Sequence, residues 1–222
     1  MLTIAQAELH DAAAVVAGAG LTDAFGHLSV RTSADELAIT PPVALSTLTA
    51  DHGLITLSVG SADLPSAAPK EAWIHLALAD ARPDIGAICR AQPPAVAALV
   101  AAGQPVLPLN GHGAFLGQRV PVYQDSRLIR DAASASAVRD TLGDANAVIL
   151  RGNGAVTTGP DLASAVALMW VLEKTAELNL RALAAGTPRP LPLDEQSWWR
   201  DRAAELLPRM YSYLTNTYRK GQ

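Results

Sequence analysis

A single α/β domain built on a largely antiparallel sheet is the fold class this sequence predicts. Three observations carry the prediction. Two short strand–turn–strand patterns occur, one near residue 30 and one near residue 150. Segments with helical apolar spacing separate them. Half of the 222 residues are hydrophobic and 17% are charged, which supplies a real core and argues against disorder.

The elements follow in chain order. Residues 3–19 read as an Ala-rich amphipathic helix ending near Gly18 and Gly20. "GHLSVRT" and "ELAIT" have strand character around the turn-like "TSAD", and "GLITLSVG" is a further strand. "SADLPSAAP" is a loop. "KEAWIHLALADARPD" reads as a helix whose apolar face is Trp73, Ile74, Leu76 and Ala77, stopped by Pro83. The strand "IGAIC" and a helix after Pro94 come next, then the Gly/Pro-rich, loop-like "PVLPLNGHGAFLG". Residues 131–143 look helical. "NAVILRGNGAVTTG" reads as strand, tight turn, strand, with Asn153 and Gly154 both able to take positive φ. From "GPDLASAV" a long helix carries Leu162, Val166, Met169, Leu172, Ala176 and Leu180 at three- and four-residue spacing. Leu168, Val171 and Leu178 add a second stripe, so burial on two sides is expected. A final helix covers about 194–214. No repeat or linker interrupts the chain, so one domain is expected over residues 1–222.

Composition narrows the function classes. The formal charge is −4 and no basic block stands out, so no nucleic-acid partner is expected. The lone cysteine allows no internal disulfide and suits a reducing cytoplasm. The first residues lack a basic region followed by a long apolar run, so no signal peptide is expected. Apolar stretches break well short of the ~18 residues a membrane helix needs, so no membrane association is expected.

Several segments together resemble the class II aldolase/adducin family. They are "DAFGHLSVR", "AIT-P", "KEAWIHLALADARPDIGAI", "PPAVAAL", "GAFLG" and "AVILRGNGAVTTGPDLASAVALMWVLEKTAELNLRA". The likeness runs from about residue 5 to 185 and is nearest to the branch of aromatic-acid decarboxylases. It implies a three-layer α/β/α fold and a site between subunits of a homotetramer. It also implies a divalent metal on three histidines, with a glutamate as acid/base. The glutamate position falls on Glu71. The three histidine positions fall on Arg90, Gln92 and Asn153. Arg has no lone pair to give and is always protonated. Gln and Asn offer only neutral carbonyl oxygens, whereas imidazole suits first-row divalent metals. No metal and no cofactor are therefore expected.

Each candidate has a functional and a structural reading. Arg90 either holds a substrate carboxylate or enolate through its planar fork, or forms a salt bridge with Glu71 in a dead site. Glu71 keeps its acid/base role or is a first-turn helix glutamate. His112, in "NGHGAF", is a replacement general base or a solvent-exposed loop residue. His27 binds a substrate anion or braces its turn. Gln92 and Asn153 are substrate hydrogen-bonders or polar packing, and Lys70 is an anion contact or a solvated lysine. Tyr123 and the C-terminal tyrosines are candidates to reach a neighbouring cleft. His75 shares the helix face of Glu71 and is expected to be structural. Cys89 is expected to face the core. Set against the phosphate-binding pattern of the family's sugar-phosphate aldolases, Pro69 and Lys70 stand in place of a Ser-Ser and "ITPPV" lacks the usual glycine, so the resemblance implies that a phosphosugar substrate is disfavoured.

Two functions remain. One is a metal-independent lyase acting on a small carboxylated or carbonyl substrate, with decarboxylation the best fit and aldolase-like, cyclase or isomerase outcomes related to it. Arg90 would hold the anion, and Glu71 or His112 would move the proton. The other is a pseudoenzyme that serves as a binding or assembly module. Arg, Gln and Asn beside a retained Glu71 favour a remodelled site over a decayed one.

Overall fold

The computed structural model describes residues 4–218. Its strands are β1 (His27–Ser33), β2 (Glu36–Ile39), β3 (Ile55–Ser58), β4 (Ala87–Ala91), β5 (Val122–Tyr123), β6 (Ala147–Leu150) and β7 (Ala155–Gly159). They form one seven-stranded sheet in the order β3-β2-β1-β4-β7-β6-β5. Every neighbouring pair is antiparallel except β5 with β6. The helices are α1 (Ile4–Gly18), α2 (Ala72–Ala81), α3 (Pro94–Ala101), α4 (Ala132–Leu142), α5 (Leu162–Ala185), α6 (Leu193–Arg200) and α7 (Ala203–Tyr218).

Strand periodicity sorts the layers. In β4, Cys89 and Ala91 join the large core that contains α1, α3, α5 and α7. Ile88 points the other way, into the core built on Ile74 and Leu78 of α2 and Val138 and Leu142 of α4. Successive side chains of a strand alternate faces, so Arg90 shares the α2 face with Ile88. By the same alternation His27 and Ser29 of β1 take that face, while Leu28 enters the α5 core. His27 stands directly across from Arg90 in the β1–β4 register. The α/β/α layering thus brings two polar residues of β1 and one of β4 under the start of α2.

The structure extends the sequence reading in one place and departs from it in two. Leu168 and Val171 of the second apolar stripe of α5 are buried within the chain and Leu178 is half-buried: one face of the helix lies on β4 and β7, the other on α1, α3 and α7. Burial on two sides is therefore met without a second subunit. The expected final helix is two helices, α6 and α7, broken at Asp201 and Arg202, where the Arg202 guanidinium turns back to sit 3.6 Å from the centre of the Trp198 ring. In the β6–β7 turn the positive φ angles belong to Gly152 (+73°) and Gly154 (+86°), and Asn153 has a negative φ. Gly154 is also required by space, since a Cβ there would lie 2.1 Å from the Ala91 carbonyl oxygen. Among the described residues no helix is long and apolar enough to cross a membrane.

Candidate active site

A cavity of about 470 Å³ opens where the ends of β1 and β4, the start of α2 and the β6–β7 turn converge. Its polar wall is His27, Glu71, Arg90, Gln92 and Asn153. Its apolar wall is Pro42, Val43, Phe25 and Leu128, and Lys70 and Arg130 stand exposed at the mouth. Phe25 is 67% and Leu128 52% exposed, large apolar surfaces left open on the rim.

Glu71 is the N-cap residue of α2, but its side chain caps nothing. It turns instead into the cavity. Its Oε1 accepts from Asn153 Nδ2 at 2.9 Å. Its Oε2 lies 3.2 Å from Arg90 Nη2. Arg90 is only 1% exposed, a buried cation that must be paired. Its Nη2 donates to Asn153 Oδ1 at 2.8 Å and to the Asn153 carbonyl at 3.2 Å, and its Nη1 donates to the Phe25 carbonyl at 3.2 Å. Gln92 Nε2 reaches Asn153 Oδ1 at 3.4 Å. Asn153 therefore does more than make a turn: it bridges the Glu71 carboxylate and the Arg90 guanidinium.

Beneath Glu71 lies a second polar group. His27 Nε2 is 3.6 Å from Glu71 Oε2, beyond a direct hydrogen bond but within electrostatic reach. His27 Nδ1 meets His75 Nε2 at 2.7 Å, and His75 Nδ1 meets Ser29 Oγ at 2.6 Å. Burial raises the Glu71 carboxyl, yet the facing His27 ring, the Arg90 charge and the Asn153 amide outweigh it and hold it below the usual carboxylate range. Burial lowers His27 against the pull of Glu71, helped by Arg90. Burial holds His75 well below its ordinary value, with the charges of His27 and Arg90 acting the same way. At neutral pH the site is thus an ionised Glu71, a cationic Arg90 and two neutral imidazoles.

Glu71, Arg90, Gln92 and Asn153, which the resemblance placed at one site, line one cavity with His27 and Lys70. His112 and Tyr123 do not join them. His112 lies on the surface at the start of the Gly113–Leu116 turn, 5.9 Å from the Phe115 ring centre and 6.0 Å from that of Trp199, in a separate hollow with Arg209 and Tyr213. The contact between that turn and α6 holds it there. Tyr123 sits on β5, the far edge of the sheet, packed on the α2–α4 core. Within one chain neither meets Glu71. Of the two readings of Arg90, the geometry displays the pair with Glu71: its Nη2 donates to Asn153 and lies 3.2 Å from Glu71 Oε2. Cys89 is buried and its thiol is pushed up to about 12 by burial, so it is no nucleophile. The sequence reading missed Arg130, Phe25 and Leu128, and took His75 as structural. The signal for the buried pair was present: alternation in "HLS" puts His27 and Ser29 on one face, and four-residue spacing puts His75 beside Glu71.

These residues do not fit a divalent metal. Besides Glu71, the positions that the resemblance assigns to ligands carry a guanidinium and two amides. The Asn153 oxygen is already taken by Arg90, and the buried Arg90 charge repels a cation. Among the described residues no group of three or more His, Cys, Asp or Glu side chains is arranged to hold one.

The sequence profile of the class II aldolase and adducin N-terminal domain matches residues 7–180. The chain belongs to the class II aldolase and adducin family. A 3,4-dihydroxyphthalate decarboxylase of Arthrobacter keyseri is 30% identical over 188 residues, 78% of this chain and 76% of that protein. The enzyme of that name from Rhodococcus jostii (strain RHA1) is 30% identical over 205 residues, 85% and 84% of the two. Among solved structures, L-fuculose 1-phosphate aldolase from Glaciozyma antarctica PI12 superposes with a TM-score of 0.74 over 99% of this chain and 96% of that one, at 21% identity. That likeness is one of fold, and the sheet with helices on both faces is the layered class II aldolase fold the resemblance implied.

Proposed function

We propose that the chain is a metal-independent carbon–carbon lyase that decarboxylates a small hydroxylated aromatic carboxylate. The observation that carries this reading is the Glu71–Arg90–Asn153 network: a carboxylate kept ionised by a buried cation, at the floor of a cavity with apolar walls. The relatives named as 3,4-dihydroxyphthalate decarboxylases support the reaction and the substrate class. Phe25, Val43 and Leu128 suit an aromatic ring, and Lys70 and Arg130 at the mouth suit its carboxylate groups.

The steps balance without a metal. Glu71, ionised, accepts the proton of a substrate hydroxyl. It then gives that proton to the ring carbon bearing the departing carboxylate, leaving a carbonyl where the hydroxyl was. The carbon–carbon bond breaks, CO2 leaves, and the electron pair flows back through the ring to that oxygen. The phenolate so formed takes one proton from water, the proton that decarboxylation consumes. The facing His27, the Arg90 charge and the Asn153 amide together keep Glu71 ionised, and Arg90 and Asn153 hold it in place.

The test is release of CO2 from 3,4-dihydroxyphthalate and from hydroxylated benzoates. Turnover is expected for at least one of them, and Glu71→Gln should lower it by about 10²- to 10⁴-fold, the usual contribution of a positioned acid/base. A Glu71→Gln protein as active as the parent contradicts the assignment. A second reading, a non-catalytic binding module, is favoured by one observation: Arg90 spends its Nη2 donors on its own neighbours. It predicts saturable binding of the same acids with no CO2 released.

A further inference from the structure

Proton transfer by Glu71 makes no use of Ser29, His75 and His27, which lie in line beneath it. Ser29 Oγ is 2.6 Å from His75 Nδ1, and His75 Nε2 is 2.7 Å from His27 Nδ1. His27 Nε2 ends the row, 3.6 Å from Glu71 Oε2, with no hydrogen-bond partner among the described residues. Ser29 and His75 are fully buried, and His27 is 5% exposed. A buried polar atom without a partner is costly, by roughly 1–3 kcal/mol, and one on the wall of a cavity calls for a ligand atom.

The row can be polarised in either of two directions, each as a unit. A neutral imidazole has one donor and one acceptor nitrogen, so the state of one link fixes the others. The Glu71 carboxylate biases the first. A lone pair on His27 Nε2 would face an anion, whereas an N–H is attracted to it. That attraction favours the direction in which His27 has its proton on Nε2 and accepts at Nδ1 from His75 Nε2–H. His75 in turn accepts at Nδ1 from the Ser29 hydroxyl. Burial keeps both rings neutral.

We propose that Ser29 and His75 are positioning residues that lock His27 as a neutral Nε2–H donor, and that this N–H takes the negative charge developing on the substrate oxygen beside Glu71. The second half rests on the decarboxylase reading, and the lock does not. A neutral imidazole suits the task because it is a poor acid. It stabilises an oxyanion by a hydrogen bond and leaves proton traffic to the carboxylate. A substrate oxygen seated to one side of the Glu71 Oε2–His27 Nε2 pair, within reach of both, supplies the partner that Nε2 lacks.

Nitrogen-15 spectra of histidine-labelled protein read the tautomer with no substrate present. His27 is expected to show a protonated Nε2 and a bare Nδ1 at about pH 6–8. A proton on Nδ1, or an imidazolium, in the unmodified protein overturns the lock. Kinetics test the rest. His75→Phe removes the donor to His27 Nδ1 and should lower kcat for CO2 release by about 10- to 100-fold, with KM moving less than about three-fold. His75→Gln offers an amide N–H to His27 and a carbonyl to Ser29, and should recover most of that loss. Equal losses in both variants would show a merely structural role and overturn the proposal. If His75→Phe does not fold, the spectra of the unmodified protein still decide the tautomer. If no acid tested releases CO2, the oxyanion role falls with the reaction, and the spectra separately decide the lock.

Discussion

Arg90 is the residue on which the chemistry turns. Its guanidinium is planar, and one nitrogen serves Asn153 and Glu71 at once. Lysine keeps the charge but gathers it into one ammonium and loses the planar geometry. Arg90→Lys is therefore expected to lower kcat/KM by about 10- to 1000-fold, equivalent to roughly 1.4–4 kcal/mol of transition-state stabilisation. Steady-state CO2 release measures it. A variant that changes only the melting temperature, with ligand affinity intact, would instead support the binding-module reading. Arg90 was the residue whose oddness was most legible in the sequence, because an arginine at the end of a buried strand needs a partner. Which partner was not legible. The choice between substrate and Glu71 depends on where α2 and the β6–β7 turn place their side chains, and only packing decides that.

At the scale of elements, β1 and α2 are joined through the His27–His75 pair. Both rings have folded-state pKa values below the ordinary 6.5. Unfolded, each would take a proton near 6.5; folded, each stays neutral to lower pH. Below that value the unfolded chain binds more protons, so stability falls as pH drops. The slope reaches about 1.4 kcal/mol per pH unit for each histidine. Glu71 adds a further loss only below its ordinary value of 4.5, because its own pKa is depressed. Denaturant unfolding between about pH 7 and 5 should show this decline, and His75→Gln should make it shallower by about one histidine's share. An unchanged slope in the variant would show that His75 does not stay neutral. The elements themselves were largely legible. Alternation gave β1, β2 and β4, and the apolar spacing gave α2 and α5. The β6–β7 turn was legible only in part. Asn-Gly signals a turn with positive φ, but here flanking glycines take those angles and free Asn153 to reach Arg90. For His112 both readings stayed open because a Gly-rich segment carries no periodicity to say which surface it will dock against, and the exposed-loop reading is the one its position matches.

At the scale of the molecule, we propose a homotetramer. The apolar faces of α5 do not support it, since α1, α3 and α7 pack on that helix within the chain. What remains is the family resemblance, together with the exposed Phe25 and Leu128 at the cavity rim. Light scattering should give a four-chain particle at micromolar concentration, and a single-chain mass would refute it. The fold was readable because it is spread over many weak patterns in a fixed order. The site was half readable, since residue types survive in a sequence but hydrogen-bond partners do not. The central claim is that this cavity does its chemistry with Arg90 and Glu71 and without a metal. The most direct test is CO2 release by protein stripped with a strong chelator and shown by elemental analysis to hold far less than one transition-metal ion per chain. The account predicts a rate within about two-fold of the untreated protein, unchanged by added zinc, manganese or iron. Activity lost on stripping and restored by one of those ions would contradict it.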